Sequence, residues 1–145
     1  MLTTNQKGAI AESAVALQAI RLGIEVYRPV VERGRYDLIL GLDSGLLRVQ
    51  CKWAPRQGDV VIVRCISCRR GREGFVKQRY TADEIDALAA YCMDVDRCFI
   101  LPIARFPAPS AIQLRLGPTR NNQKAGVNWA DDYDLARLNL EAVLA

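Results

Sequence analysis

Apolar and polar residues alternate with two distinct periods along the chain. From about Thr4 to Leu22, Ile10, Ala14, Leu17 and Arg21 recur at helical spacing with Ile20 beside them. Thr3 and Gln6 have capping-box spacing, and Gly23 supplies a stop. IEVYRP (24–29) reads as a short strand ended by Pro29. RYDLIL (35–40) and LLRVQCKW (46–53) read as two strands joined by the turn-rich segment Gly41-Leu42-Asp43-Ser44-Gly45, as in a hairpin. DVVIVRCIS (59–67) predicts one central strand, and CRRGREGFVKQR (68–79) a basic loop. Thr81 and Glu84 repeat the capping-box spacing and predict a helix through about Cys92. CFILPI (98–103) and AIQLRL (111–116) predict further strands, GPTRNNQKAG (117–126) a turn, and Asn128 the cap of a last helix. The order is that of a mixed central β-sheet flanked by helices, within a single domain spanning 1–145.

Alternation within LLRVQCKW turns Leu47, Val49, Cys51 and Trp53 to one face and Arg48, Gln50 and Lys52 to the other. Asp37 is the carboxylate of an otherwise apolar strand segment, and the intervening turn allows it to sit beside Gln50 across the hairpin. Two readings follow. One is a structural Asp–Lys ion pair. The other is a divalent-metal site, with hard oxygens from Asp37, the Gln50 amide and a backbone carbonyl. Lys52 then stands beside the reacting water and phosphate. Glu12 lies among Gly8, Ala9, Val15, Ala16 and Ala19, small residues that let the helix approach the sheet.

Composition narrows the chemistry. The 145 residues include no His, so a Ser-His-Asp triad, a His-ligated zinc hydrolase and an imidazole proton shuttle are excluded. Lys and Arg total 20 against 16 Asp and Glu, a net charge of +4 that is compatible with nucleic acid. With an odd number of cysteines and neither a signal-like start nor an apolar span, the sequence predicts a cytoplasmic protein with reduced thiols and no membrane segment. Cys65 and Cys68 form a CxxC, but residues three apart on a strand face opposite ways, so buried thiols are expected rather than zinc. Arg64, Arg69, Arg70, Arg72, Lys77 and Arg79 form a basic run suited to phosphates. Arg120, Asn121, Asn122, Gln123 and Lys124 carry groups that pair with base edges, with Arg115 as a further candidate.

Glu12, Asp37 and Gln50-Cys51-Lys52 together resemble the PD-(D/E)XK nuclease superfamily, which pairs an Asp with (Asp/Glu)-X-Lys on the next strand. KGAIAESAV, RYDLIL, VQCKWA, YTADEIDALAAYC, CFILPI and NNQKAGVNWADDY resemble its group I intron-associated homing endonucleases, so the likeness spans nearly the whole chain. It implies a restriction-endonuclease-like fold and Mg²⁺-dependent hydrolysis of double-stranded DNA to a 5′-phosphate, with Mn²⁺ as a substitute ion. Asp37, Gln50 through its side-chain oxygen, the Cys51 carbonyl and Glu12 would be the metal ligands. Lys52 would serve the water and the phosphate charge, and the enzyme would be a homodimer or homotetramer. Two positions depart from the family pattern: Arg35-Tyr36 stands where the motif has Pro, and the neutral Gln50 stands where most members carry an acid. A Holliday-junction-type nuclease and a catalytically silent DNA-binding module of the same fold are the alternative readings.

Overall fold

The computed structural model describes residues 1–31, 34–71, 74–107 and 109–143, with the backbone alone at 67–71, 74–79 and 143. Helix α1 covers Thr4–Arg21. Its Thr3–Gln6 capping box is fully formed: the Gln6 amide donates to Thr3 Oγ1 at 3.1 Å, and the Thr3 amide to Gln6 Oε1 at 2.9 Å. Such a cap contributes about 1 kcal/mol by satisfying N–H groups that the first turn leaves without partners. Gly23, at φ 79°, reverses the chain after α1 in a conformation that other residues resist.

The strands are β1 (Glu25–Tyr27), β2 (Leu38–Leu42), β3 (Gly45–Trp53), β4 (Arg56–Gln57), β5 (Val60–Arg64), β6 (Ile66–Gly71), β7 (Gly74–Arg79), β8 (Ala87–Cys92), β9 (Arg97–Pro102) and β10 (Ala111–Arg115). The main sheet has the order β1-β2-β3-β8-β9. Its one parallel pair is β3 with β8, so the sheet is mixed. On one face α1 packs Ala11, Val15, Ala16 and Ala19 against Leu47, Val49, Cys51, Ala87 and Ala89. On the other, Val61, Val63, Ile112 and Leu114 of the small sheet β10-β5-β4 cover Leu88, Ala90, Phe99 and Leu101. The expected mixed α/β core is present, but its second covering layer is this sheet rather than a helix.

Four local expectations are corrected. The segment after Thr81 is not a helix. Thr81 and Glu84 close a single turn, the Glu84 amide donating to the Thr81 carbonyl at 3.0 Å, and the chain then enters β8. All six residues of β8 are buried, alternate ones facing α1 and the small sheet, so the strand lacks the polar alternation that marks a half-exposed one. The run 59–67 is divided at Cys65, whose amide donates to the Ser110 carbonyl at 2.9 Å, and β5 is central only to the small sheet. The expected basic loop is the hairpin β6–β7, with Arg70 paired to Phe75 and Cys68 to Lys77. The C-terminal segment forms 3₁₀ turns at Ala130–Tyr133 and Leu140–Val143 instead of a helix. Asp134 redirects its own backbone, Oδ1 accepting from the Ala136 amide at 2.8 Å, while Arg97 on β9 reaches Asp131 and Asp134, each at 2.7 Å.

Candidate active site

The β2–β3 hairpin pairs Leu38 with Val49. The Asp37 amide continues the ladder by donating to the Val49 carbonyl at 2.8 Å, so the register sets Asp37 across from Gln50. The Asp37 side chain is fixed as well: Oδ2 accepts the Cys51 amide proton at 2.8 Å. One oxygen is thereby anchored to β3, which orients the whole carboxylate. Leu47 and Val49 are fully buried and Cys51 nearly so, while Arg48, Gln50 and Lys52 are half-buried, which agrees with the two faces read from the sequence.

Glu12 approaches from α1. Ala11 and Val15 beside it are fully buried, so the helix lies close to β3 and the Glu12 side chain emerges at its margin. Glu12 and Asp37 line one polar cavity of about 310 Å³ together with Arg28, Pro29, Gly34 and Tyr36. Arg28 Nη1 lies 3.0 Å from Glu12 Oε1. The Cys51 thiol registers both acids. Burial pushes it far above the ordinary thiol range, and the charges of Asp37 and Glu12 push it further. Cys51 is therefore held as a protonated core thiol, which disfavours it as a nucleophile.

The structure thus brings Glu12 and Asp37 to one cavity and sets Gln50 across the hairpin from Asp37. Lys52 lies two residues further along β3, on the same face as Gln50. Its Nζ rests 4.8 Å from the centre of the Tyr80 ring, and Arg35 Cζ is 4.2 Å from the same ring. Sequence reasoning missed Arg28 and Tyr80. Arg28 reads as the end of a short strand, and Tyr80 as the residue before a helix that does not form.

The oxygens of two carboxylates, an amide and a carbonyl are the donors a hard divalent cation prefers. Among the described residues no group of three or more His, Cys, Asp or Glu sits together. A cation here would therefore combine Asp37 and Glu12 with neutral oxygens and water. The described cysteines Cys51, Cys65, Cys92 and Cys98 are buried free thiols, and the side chain of Cys68 in the CxxC lies outside the described residues.

The residues expected to contact DNA fall on two other segments of the chain. Arg69, Arg70, Lys77 and Arg79 are on the β6–β7 hairpin, while Arg72 lies outside the described residues. Arg120, Asn121, Asn122 and Lys124 are exposed in the turn after β10, with Asn122 at φ 55°. Arg115 is committed elsewhere: its guanidinium donates to the Gly117 and Pro118 carbonyls at 3.3 and 2.8 Å, so it braces this turn. No described helix is long and apolar enough to cross a membrane.

Comparison with known proteins supports the fold. No curated protein matches the chain. The bacterial homing endonuclease I-Ssp6803I has a similar solved structure, with TM-score 0.75 and 25% identity over 93% of this chain and 90% of that one. The profile of the PD-(D/E)XK endonucleases matches residues 2–136, and the chain belongs to that family.

Proposed function

We propose that the protein is a Mg²⁺-dependent DNA endonuclease of the homing type, acting in the cytoplasm as a single-domain protomer of a homodimer or homotetramer. The observation that carries this reading is the anchored Asp37: its carboxylate is bonded to the Cys51 amide in register with Gln50 and shares a cavity with Glu12. Asp37, Glu12, the Gln50 amide oxygen and the Cys51 carbonyl would hold the cation. When bound, a divalent ion lowers the pKa of water and offsets negative charge building up on a phosphate. Lys52 orients the attacking water and meets the growing charge on the phosphate with its ammonium. The leaving group is the 3′-oxygen, and the product carries a 5′-phosphate. The Asp37 oxygen tied to Cys51 keeps its carboxylate from turning, so little reorganisation accompanies the reaction.

The hairpin β6–β7 suits the DNA substrate in two ways. It forms a two-stranded ribbon separate from both larger sheets, a shape the major groove admits, and its sequence is basic. Arg69, Arg70, Arg72, Lys77 and Arg79 supply phosphate contacts in this reading, and Arg120, Asn121, Asn122 and Lys124 a second contact.

The test uses a supercoiled plasmid carrying the DNA that flanks the protein's own gene, incubated with Mg²⁺, Mn²⁺ or chelator. Nicked or linear product is expected with either ion and none with chelator. Asp37→Asn and Lys52→Ala should each lower the rate by at least about a hundredfold. Cleavage that persists in chelator, or at the native rate in Lys52→Ala, would refute the proposal.

A further inference from the structure

Tyr80 is 8% exposed and follows β7 immediately, before the single turn that leads to β8. Two other segments of the chain meet at its ring. Strand β3 brings Lys52 Nζ to 4.8 Å from the ring centre, and the residues before Asp37 bring Arg35 Cζ to 4.2 Å. Arg35 Nε lies 3.6 Å from Glu84 Oε2, and the Thr81 hydroxyl donates to Glu84 Oε1 at 3.1 Å. The turn itself is tied to β3 by Arg48, whose guanidinium donates to the Ala82 and Asp83 carbonyls at 3.1 and 2.8 Å. The ring therefore sits on a braced platform.

A lysine on a strand has a long flexible stem, and nothing in a β-ladder fixes its tip. The negative face of an aromatic ring attracts a cation along a defined direction. A ring placed only to fill the core would not need two cations on it. Resting on the reading that Lys52 serves phosphodiester hydrolysis, we propose that Tyr80 is a positioning residue: its ring holds the Lys52 ammonium in place, and Arg35 with Glu84 holds the ring. The Arg35-Tyr36 pair that stands where the family motif has Pro thereby gains a role, since Arg35 is one of the braces.

The test combines a spectroscopic and a kinetic readout. In protein labelled with ¹³C at lysine, the Lys52 ε-methylene signal is assigned by its loss in Lys52→Arg. An upfield ring-current shift is expected in the native protein and in Tyr80→Phe. It should collapse toward the solvent-lysine position in Tyr80→Leu. Because Tyr80 also lines an apolar cavity of about 310 Å³, Leu could disturb folding. Pentafluorophenylalanine introduced at position 80 keeps the ring's shape while withdrawing its negative face, and should release the ammonium without unfolding the chain. In the plasmid assay, Tyr80→Phe should keep kcat, and the fluorinated ring should lower it about tenfold with KM little changed.

A Lys52 signal at the solvent position in native protein, or a fluorinated variant with native shift and native kcat, would overturn the inference. Failure of the nuclease reading shows itself differently. Native-rate cleavage by Lys52→Ala removes the catalytic role of Lys52, and this inference with it, whatever the ring shift.

Discussion

Replacing Arg48 with Met keeps an unbranched apolar stem on β3 and deletes the guanidinium. In the native protein Nε and Nη2 each donate to an Asp86 oxygen at 3.2 Å, while Nη1 and Nη2 donate to the Asp83 and Ala82 carbonyls. Asp86 Oδ2 also accepts the Arg48 backbone amide at 2.8 Å, a bond the substitution spares. A hydrogen bond to a charged group contributes about 1.5–3 kcal/mol when well shielded. The two side chains are 32% and 28% exposed, so water screens part of this and replaces part of what is lost. The net expectation is a loss of about 2 kcal/mol, read as a lower urea midpoint by tryptophan fluorescence and a fall in Tm of about 5 °C. Acid adds a second check. Burial raises the Asp86 pKa, but its bonds to Arg48 outweigh this and hold it below the ordinary 3.8. The stabilisation is therefore full above about pH 4 and fades as pH falls through the lower folded value. The gap between native and Arg48→Met should shrink below about pH 4. A destabilisation under about 0.5 kcal/mol, or a gap unchanged down to about pH 2, would refute the reasoning.

Three further outcomes are expected. Arg28→Met removes the cation bound to Glu12 and should tighten Mn²⁺ binding several-fold by calorimetry, since in the proposed site Arg28 and the metal would compete for one carboxylate. Cys51 and Cys98 should resist a thiol reagent at about pH 8 in the folded protein and react in urea; burial raises Cys51 far above the thiol range and pushes Cys98 up to about 12. Glu141 accepts the Asp43 and Ser44 amides at 2.9 Å, and its bond from the Ser44 hydroxyl, with these amides, lowers its pKa. Glu141→Gln, or acidification to below about pH 4, should therefore lower the protection of the Asp43 and Ser44 amides, read as the exchange rate relative to the intrinsic rate at the same pH.

The parts of the fold legible in the sequence are those where one face meets water. Helix α1 announces itself through Thr3, Gln6 and Gly23, and β3 through the alternation of Leu47, Val49 and Cys51 with Arg48, Gln50 and Lys52. The opposition of Asp37 and Gln50 follows from that alternation and from the length of one turn. Strand β8 was illegible because ALAAYC is buried on both sides, so its pattern has no period, and its alanines favour helix in isolation. The Thr81–Glu84 pair forms the turn that usually opens a helix, and tertiary burial then takes the chain elsewhere. The β6–β7 pairing was hidden by the arginines of CRRGREGFVKQR, which read as a loop. Arg28 and Tyr80 escaped notice because their partners, Glu12 and Lys52, are distant in sequence and neither pair leaves a local signature.

The claim at the centre is that Asp37 belongs to a cation site. Asp37→Asn tests it without any DNA, because the amide oxygen can still accept the Cys51 proton while the charge is gone. Mn²⁺ binding followed by electron paramagnetic resonance should give one saturable class of site in the native protein, weakened at least about tenfold in a folded Asp37→Asn. Equal Mn²⁺ affinity in the two proteins would contradict the account.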